Sequence, residues 1–131
     1  MQLHSQLPLA GVRVVDFGQQ IAGPAVAMIL ADLGATVLHI DPPTGPQWKH
    51  PANAILNRNK NCLSLDLKTA QGLTRAKTLI DSADIVIESY RPGCLAKLGL
   101  KFCFVLSNKI SLSIQFKRSC VHDFKYSISS S

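Results

Sequence analysis

The stretch Val12-Arg-Val-Val-Asp-Phe-Gly-Gln-Gln-Ile-Ala-Gly-Pro-Ala-Val-Ala-Met-Ile-Leu-Ala-Asp-Leu-Gly-Ala-Thr-Val-Leu-His-Ile-Asp41 reads as strand, loop, helix, strand. Val12, Val14 and Val15 form a short β-branched run, the mark of a strand buried on both faces. Gly18 to Gly23 is the loop, and Pro24 suits a first helical position, where its missing N–H costs nothing. Ala25 to Leu33 is apolar almost all round, with Asp32 its only charge, so the helix is expected to be covered on most sides. Gly34 stands where a left-handed C-cap residue belongs, and Thr36 to Ile40 is the second strand. A unit this tight implies a parallel, right-handed crossover.

Outward from this unit, Asp41 to Pro51 holds four prolines and one glycine, which exclude a helix and make an irregular loop. Trp48 lies in that loop and is read as its anchor against the body rather than as a ligand-stacking group. Asn57-Arg-Asn-Lys-Asn61 is a polar turn. Cys62 to Leu67 alternates with period two, as a strand with one wetter face does. Thr69 can cap a helix running to about Ser82, with Leu73, Ala76, Leu79 and Ile80 on one stripe and Gly72 weakening the first turn. Asp84 to Glu88 is a further buried strand, Ser89 to Gly93 a turn, and Cys94 to Leu98 a short helix that Gly99 stops. The fold class is α/β, an incomplete Rossmann-like parallel sheet with flanking helices.

The character changes at Lys101. All eight glycines and all seven prolines precede it, whereas the last 31 residues hold eight serines and five basic residues. Ile110 to Phe116 alternates cleanly, yet nothing there turns or caps the chain. Residues 1–100 are therefore read as the folded body. Residues 101–131 are read as a tail of different origin, from a frame change or missed splice, that packs poorly against the body. An ordinary hairpin lacking glycine is the competing reading.

The 131 residues are enough for one domain, and 47% of them are hydrophobic, enough for a core. The formal charge of +6 is uneven: residues 1–100 carry nine Lys/Arg and seven Asp/Glu, the tail five and one. The body is nearly balanced, and no basic stripe interleaves with aromatics, so nucleic acid is not expected as a partner. Cys62, Cys94, Cys103 and Cys120 lack C-x-x-C or metal spacing. They are read as reduced thiols in a cytoplasmic protein with no metal. Residues 1–8 lack a basic and then apolar leader, and no apolar run has the length of a membrane span.

Open α/β sheets bind ligands beyond the carboxyl ends of their strands. Here those ends are Phe17–Gly23, Asp41–Gly45, Asp66–Lys68 and Glu88–Gly93. The first precedes a helix N-terminus, which favours an anion. Gly18-Gln-Gln-Ile-Ala-Gly23 is not G-x-G-x-x-G, so Asp41 is weak as a ribose ligand and reads better as a strand end. Lys68, Arg91 and Lys97 could together hold a phosphorylated ligand, with Ser89 hydrogen-bonding and Tyr90 stacking on a base. Taken singly each is an ordinary surface residue; their clustering at strand ends raises the ligand reading. His39 is read as a satisfied core histidine. Ser64 has no G-x-S-x-G around it, and no nucleophile–base pair is identified.

Leu9 to Phe17, Ala22-Gly-Pro24, Leu30 to Ala35, Leu56 to Lys60, Leu65 to Lys68, Asp84 to Gly93 and Leu98 to Leu100 together resemble class III CoA-transferases. That family includes formyl-CoA transferase, carnitine CoA-transferases and α-methylacyl-CoA racemase. The resemblance covers roughly residues 7–100. It implies a Rossmann-like domain that uses coenzyme A as co-substrate, acyl-CoA and a carboxylic acid as partners, and a homodimer of interlocked ring-like chains. It places CoA contacts at Ile21, Ala22, Leu65, Asp66, Leu67, Lys68, Ser89, Tyr90, Arg91 and Lys97. Ile21 replaces a glutamine and Pro42 an arginine of the formyl-CoA transferase pattern, which counts against an oxalate or formate substrate. The family's catalytic aspartate lies downstream of Leu98-Gly-Leu100, and Asp123 is not in its context, so no catalytic residue is named. The expectation is an N-terminal portion of a transferase, inactive alone. The alternatives are a stand-alone nucleotide- or CoA-binding module, an acyl-CoA racemase fragment and a non-functional remnant.

Overall fold

The computed structural model describes residues 7–46, 48–90, 94–100 and 113–116. The chain runs β1 (Arg13–Asp16), α1 (Ala22–Asp32), β2 (Thr36–Asp41), α2 (Ala52–Leu56), β3 (Asn61–Ser64), α3 (Ala70–Ser82), β4 (Ile85–Glu88), α4 (Cys94–Lys97) and β5 (Ser113–Phe116). The strands form one sheet in the order β3-β2-β1-β4-β5. The first four are parallel and β5 is antiparallel to β4. Chain order moves outward from β1 to β3, then returns past β1 to β4. That reversal at β1 is the topological switch of a doubly wound sheet.

Alternation along β1 separates two cores. Val14 points to the α1 side, with Ala27, Ala31, Val37, Ile85 and Ile87. Val15 points to the other, with Phe17, Ile40, Ala76, Val86, Leu95 and Leu100 from β2, α3, β4 and the α4 segment. One strand therefore feeds both layers, which is why Val14 and Val15 are apolar in succession.

Three details differ from the sequence expectation. Pro24 is the third residue of α1 rather than the first. Its position is still among the four whose N–H groups have no partner in the helix, so proline is tolerated there as well. β3 stops at Ser64 instead of Leu67, because Asp66 starts a turn: its Oδ1 accepts the Lys68 N–H and its carbonyl accepts both the N–H and the hydroxyl of Thr69. Among the described residues α1 is not covered on every side: Ile29 is 53% and, just past its end, Leu33 40% exposed.

The short helix α2 follows Pro51 and carries the crossover from β2 to β3. Trp48 stacks on His50 with ring centroids 4.8 Å apart, so it ties the proline-rich loop to itself. Within the tail, Ser113–Phe116 pairs with β4, matching Ile85 to Phe116 and Glu88 to Ser113. This strand falls in the alternating segment of the sequence. The rest of the tail lies outside the described residues. No helix among the described residues is long and apolar enough to cross a membrane.

Candidate functional site

The switch point lies between the carboxyl ends of β1 and β4. The segment after β1 is drawn there by two glycines. A Cβ on Gly23 would sit 2.7 Å from the Gly18 Cα, and one on Gly18 would sit 2.7 Å from the Asp16 Oδ1. Neither position has room for a side chain. Gln20 adopts a left-handed φ of 64°, a strain of about 1–2 kcal/mol that the surroundings must hold in place. Across the switch point, the Ser89 hydroxyl accepts the Gln19 N–H at 2.6 Å and lies 3.2 Å from the Gln19 carbonyl, to which it donates. Burial pushes the Tyr90 phenol up, partly offset by its hydrogen bond with the Gln19 side chain. Gln19 therefore links both sides of the crevice.

Beneath the loop lies a set of buried charges. Asp16 is fully buried; its Oδ1 accepts the Gly18 N–H at 2.7 Å. Its Oδ2 lies 2.8 Å from the His39 Nδ1 and accepts from the Lys60 Nζ at 3.1 Å. Lys60 also donates to the Pro24 carbonyl at 2.9 Å, in the first turn of α1. His39 Nε2 lies 3.1 Å from the Asp41 Oδ1. His39 is thus a satisfied core histidine. Asp41 ends β2 as expected, and it is also committed to His39.

A second feature opens beyond β3. A cleft of about 820 Å³ is lined by Ser64, Leu65, Asp66, Thr69, Gly72 and Arg75, among others. The Thr69 hydroxyl accepts the Gly72 N–H at 3.0 Å and caps α3, as its sequence position implied. The cleft is at the sheet edge, two strands from β1, or about 10 Å at ordinary strand spacing. The switch point is the better centre of a site, because buried polar groups and a strained backbone converge there; the cleft extends it sideways.

The candidate residues distribute accordingly. Ile21 and Ala22 are exposed at the start of α1, in the segment whose Gln19 meets Ser89 across the switch. Leu65, Asp66 and Leu67 are half-buried after β3, and Leu65 and Asp66 line the cleft. Lys68 is exposed beside them, and Lys97 is exposed at the end of α4. Tyr90 is half-buried against the α3-side core. Arg91 lies outside the described residues. Sequence reasoning passed over Gln19, Asp16 and Lys60. The available signal was a carboxylate closing an otherwise apolar buried strand, which demands a cation somewhere.

The profile of CoA-transferase family III matches residues 9–106, three-quarters of the chain. The chain belongs to this family. Over 102 residues it is 71% identical to the CoA-transferase/lyase DddD of Marinomonas sp. (strain MWYL1), covering 78% of this chain and 12% of that protein. It is 37% identical over 105 residues to a probable fatty acyl-CoA transferase of Mycobacterium tuberculosis, Rv3272, covering 71% of this chain and 27% of the relative. A crystal structure of Rv3272 superposes with a TM-score of 0.67 at 40% identity, over 72% of this chain and 28% of that one. A CAIB/BAIF family protein from Brucella suis gives 0.67 at 34% identity, over 73% and 29%. The chain thus corresponds to a portion, well under a third, of the family III proteins it resembles. The match also runs to residue 106, six residues past the point where the sequence motifs end.

Proposed function

We propose that this chain is the N-terminal, CoA-binding portion of a family III enzyme that moves CoA between an acyl-CoA and a carboxylic acid. The observation that carries this is the switch-point crevice built by Gly18, Gly23 and Ser89 in a chain of this family. Backbone N–H groups at the start of α1 suit the anionic pyrophosphate of CoA. Lys68, Arg91 and Lys97 would each add a charge-assisted contact worth about 1.5–3 kcal/mol.

The portion is inactive alone. Acyl transfer through an anhydride needs a free carboxylate nucleophile beside the CoA thiol. Among the described residues the acids are committed elsewhere: Asp16 to Gly18, His39 and Lys60; Asp41 to His39; Asp66 to Lys68. Asp32 pairs with Arg58 at 2.6 Å, and Asp84 accepts the Arg13 N–H at 2.9 Å. Glu88 is half-buried, and burial pushes its carboxyl up. In the parent enzyme the remaining chain and a second copy would supply the acid and cover Ile29 and Leu33, in a cytoplasmic homodimer. The 71% identity to a relative named for both transfer and lyase chemistry favours a parent that couples CoA transfer to elimination.

The test is incubation of the purified chain with a panel of acyl-CoA donors and carboxylic acids, with exchanged thioesters read by mass spectrometry. No exchange above the buffer rate is expected. Turnover abolished by Asp41→Asn or Asp66→Asn would make this a minimal transferase.

A further inference from the structure

We propose that Lys60 and His39 are positioning residues for the first ligand loop, acting through Asp16 as the centre of a buried, charge-balanced quartet with Asp41. The inference rests on the reading of Ile21–Ala22 as a CoA contact. The side chains of Lys60 and Asp16 are both fully buried. Such a pair is a costly way to add stability, because desolvation of both ions offsets their attraction. It does fix geometry. Asp16 holds the Gly18 N–H through one oxygen, and Lys60 joins the other oxygen to the Pro24 carbonyl. The loop is therefore gripped at both ends, at Gly18 and Pro24, on either side of the strained Gln20.

His39 closes the set. Nδ1 faces Asp16 and Nε2 faces Asp41, and a carboxylate oxygen can only accept. A ring donating from both nitrogens satisfies every group. Two carboxylates, one ammonium and one imidazolium then sum to zero, so the buried cluster leaves no uncompensated charge. The path of the loop is then held by the protein's own groups before any ligand arrives, which is the preorganisation that binding favours.

The experiment uses nuclear magnetic resonance on the full chain. Long-range nitrogen-15 spectra of His39 should show two ring N–H groups; a single protonated nitrogen would overturn the quartet. Amide exchange is then compared between the wild type and Lys60→Met. The amides of Gly18 and Gln19, which are hydrogen-bonded in the loop, should exchange at least about tenfold faster, while Val15, Val37 and Val86 stay within about twofold. Unchanged loop exchange, or an even rise across the strands, refutes a positioning role. If Lys60→Met leaves Asp16 uncompensated and the chain does not fold, the Asp16→Asn, Lys60→Met double variant removes both charges and is read in the same way. A CoA titration separates the two ideas. A wild type that binds no CoA while its loop depends on Lys60 refutes the CoA reading alone. CoA binding that is equal in wild type and variant refutes the positioning role alone.

Discussion

Replacing Gly72 with alanine sets two well-known effects against each other. Gly72 is the third residue of α3, and helix propensity alone favours alanine there by up to about 1 kcal/mol. The structure reverses the sign. A Cβ at this position would collide with the Asp66 carbonyl oxygen, lie 2.7 Å from the Asp66 carbonyl carbon and 3.0 Å from the Thr69 Oγ1. The first two obstacles are backbone, so no side chain can swing aside. That carbonyl also accepts from Thr69 N and Oγ1, so moving it breaks the cap. Overpacking of this kind costs about 3 kcal/mol at the upper end of the usual range, leaving a net loss of about 2 kcal/mol. For a domain of this size the melting temperature should fall by about 8–16 °C. Thermal unfolding followed by far-ultraviolet circular dichroism reads this directly. A melting temperature equal to or above the wild type would refute the close approach of α3 to the β3 turn.

Thr69→Ala removes the same cap without a collision and should cost about 1 kcal/mol in urea unfolding; no loss would mean that the hydroxyl is not the partner of the Gly72 N–H. Burial raises the Glu88 carboxyl, so the folded chain holds that proton more tightly than the unfolded chain does. Its contribution is present below the ordinary glutamate range and lost as pH rises through the raised value. Glu88→Gln should therefore be more stable than the wild type at neutral pH, with the gap closing on acidification. A gap that widens toward acid would contradict the burial.

The body of the fold was legible because local signals agreed. β-Branched runs marked β1, β2 and β4, Thr69 marked the start of α3, and Gly34, with φ of 103°, marked the end of α1. α2 was not legible, since five residues after a proline carry too little periodicity to distinguish a helical turn from a loop. β5 was half legible: its alternation was visible, but strand pairing across more than twenty residues leaves no local trace. At the candidate site, the strand ends read from the sequence after β1 and β4 are the segments that Gln19 and Ser89 join across the switch point. The Asp16–Lys60 pair was not foreseen, because the two residues are 44 positions apart and only the sheet brings them together.

The most direct test of the account is a titration of the nitrogen-15 labelled chain with CoA, followed through its backbone amide resonances. The account predicts binding in the millimolar range, about −4 kcal/mol, because the partner residues of the full enzyme are missing. Shifts should concentrate at Ile21, Ala22, Leu65 to Lys68, Ser89, Tyr90 and Lys97, and Lys68→Ala should weaken them. Absence of any shift at saturating CoA, or tight binding indifferent to substitution of Lys68, Arg91 and Lys97, would contradict it.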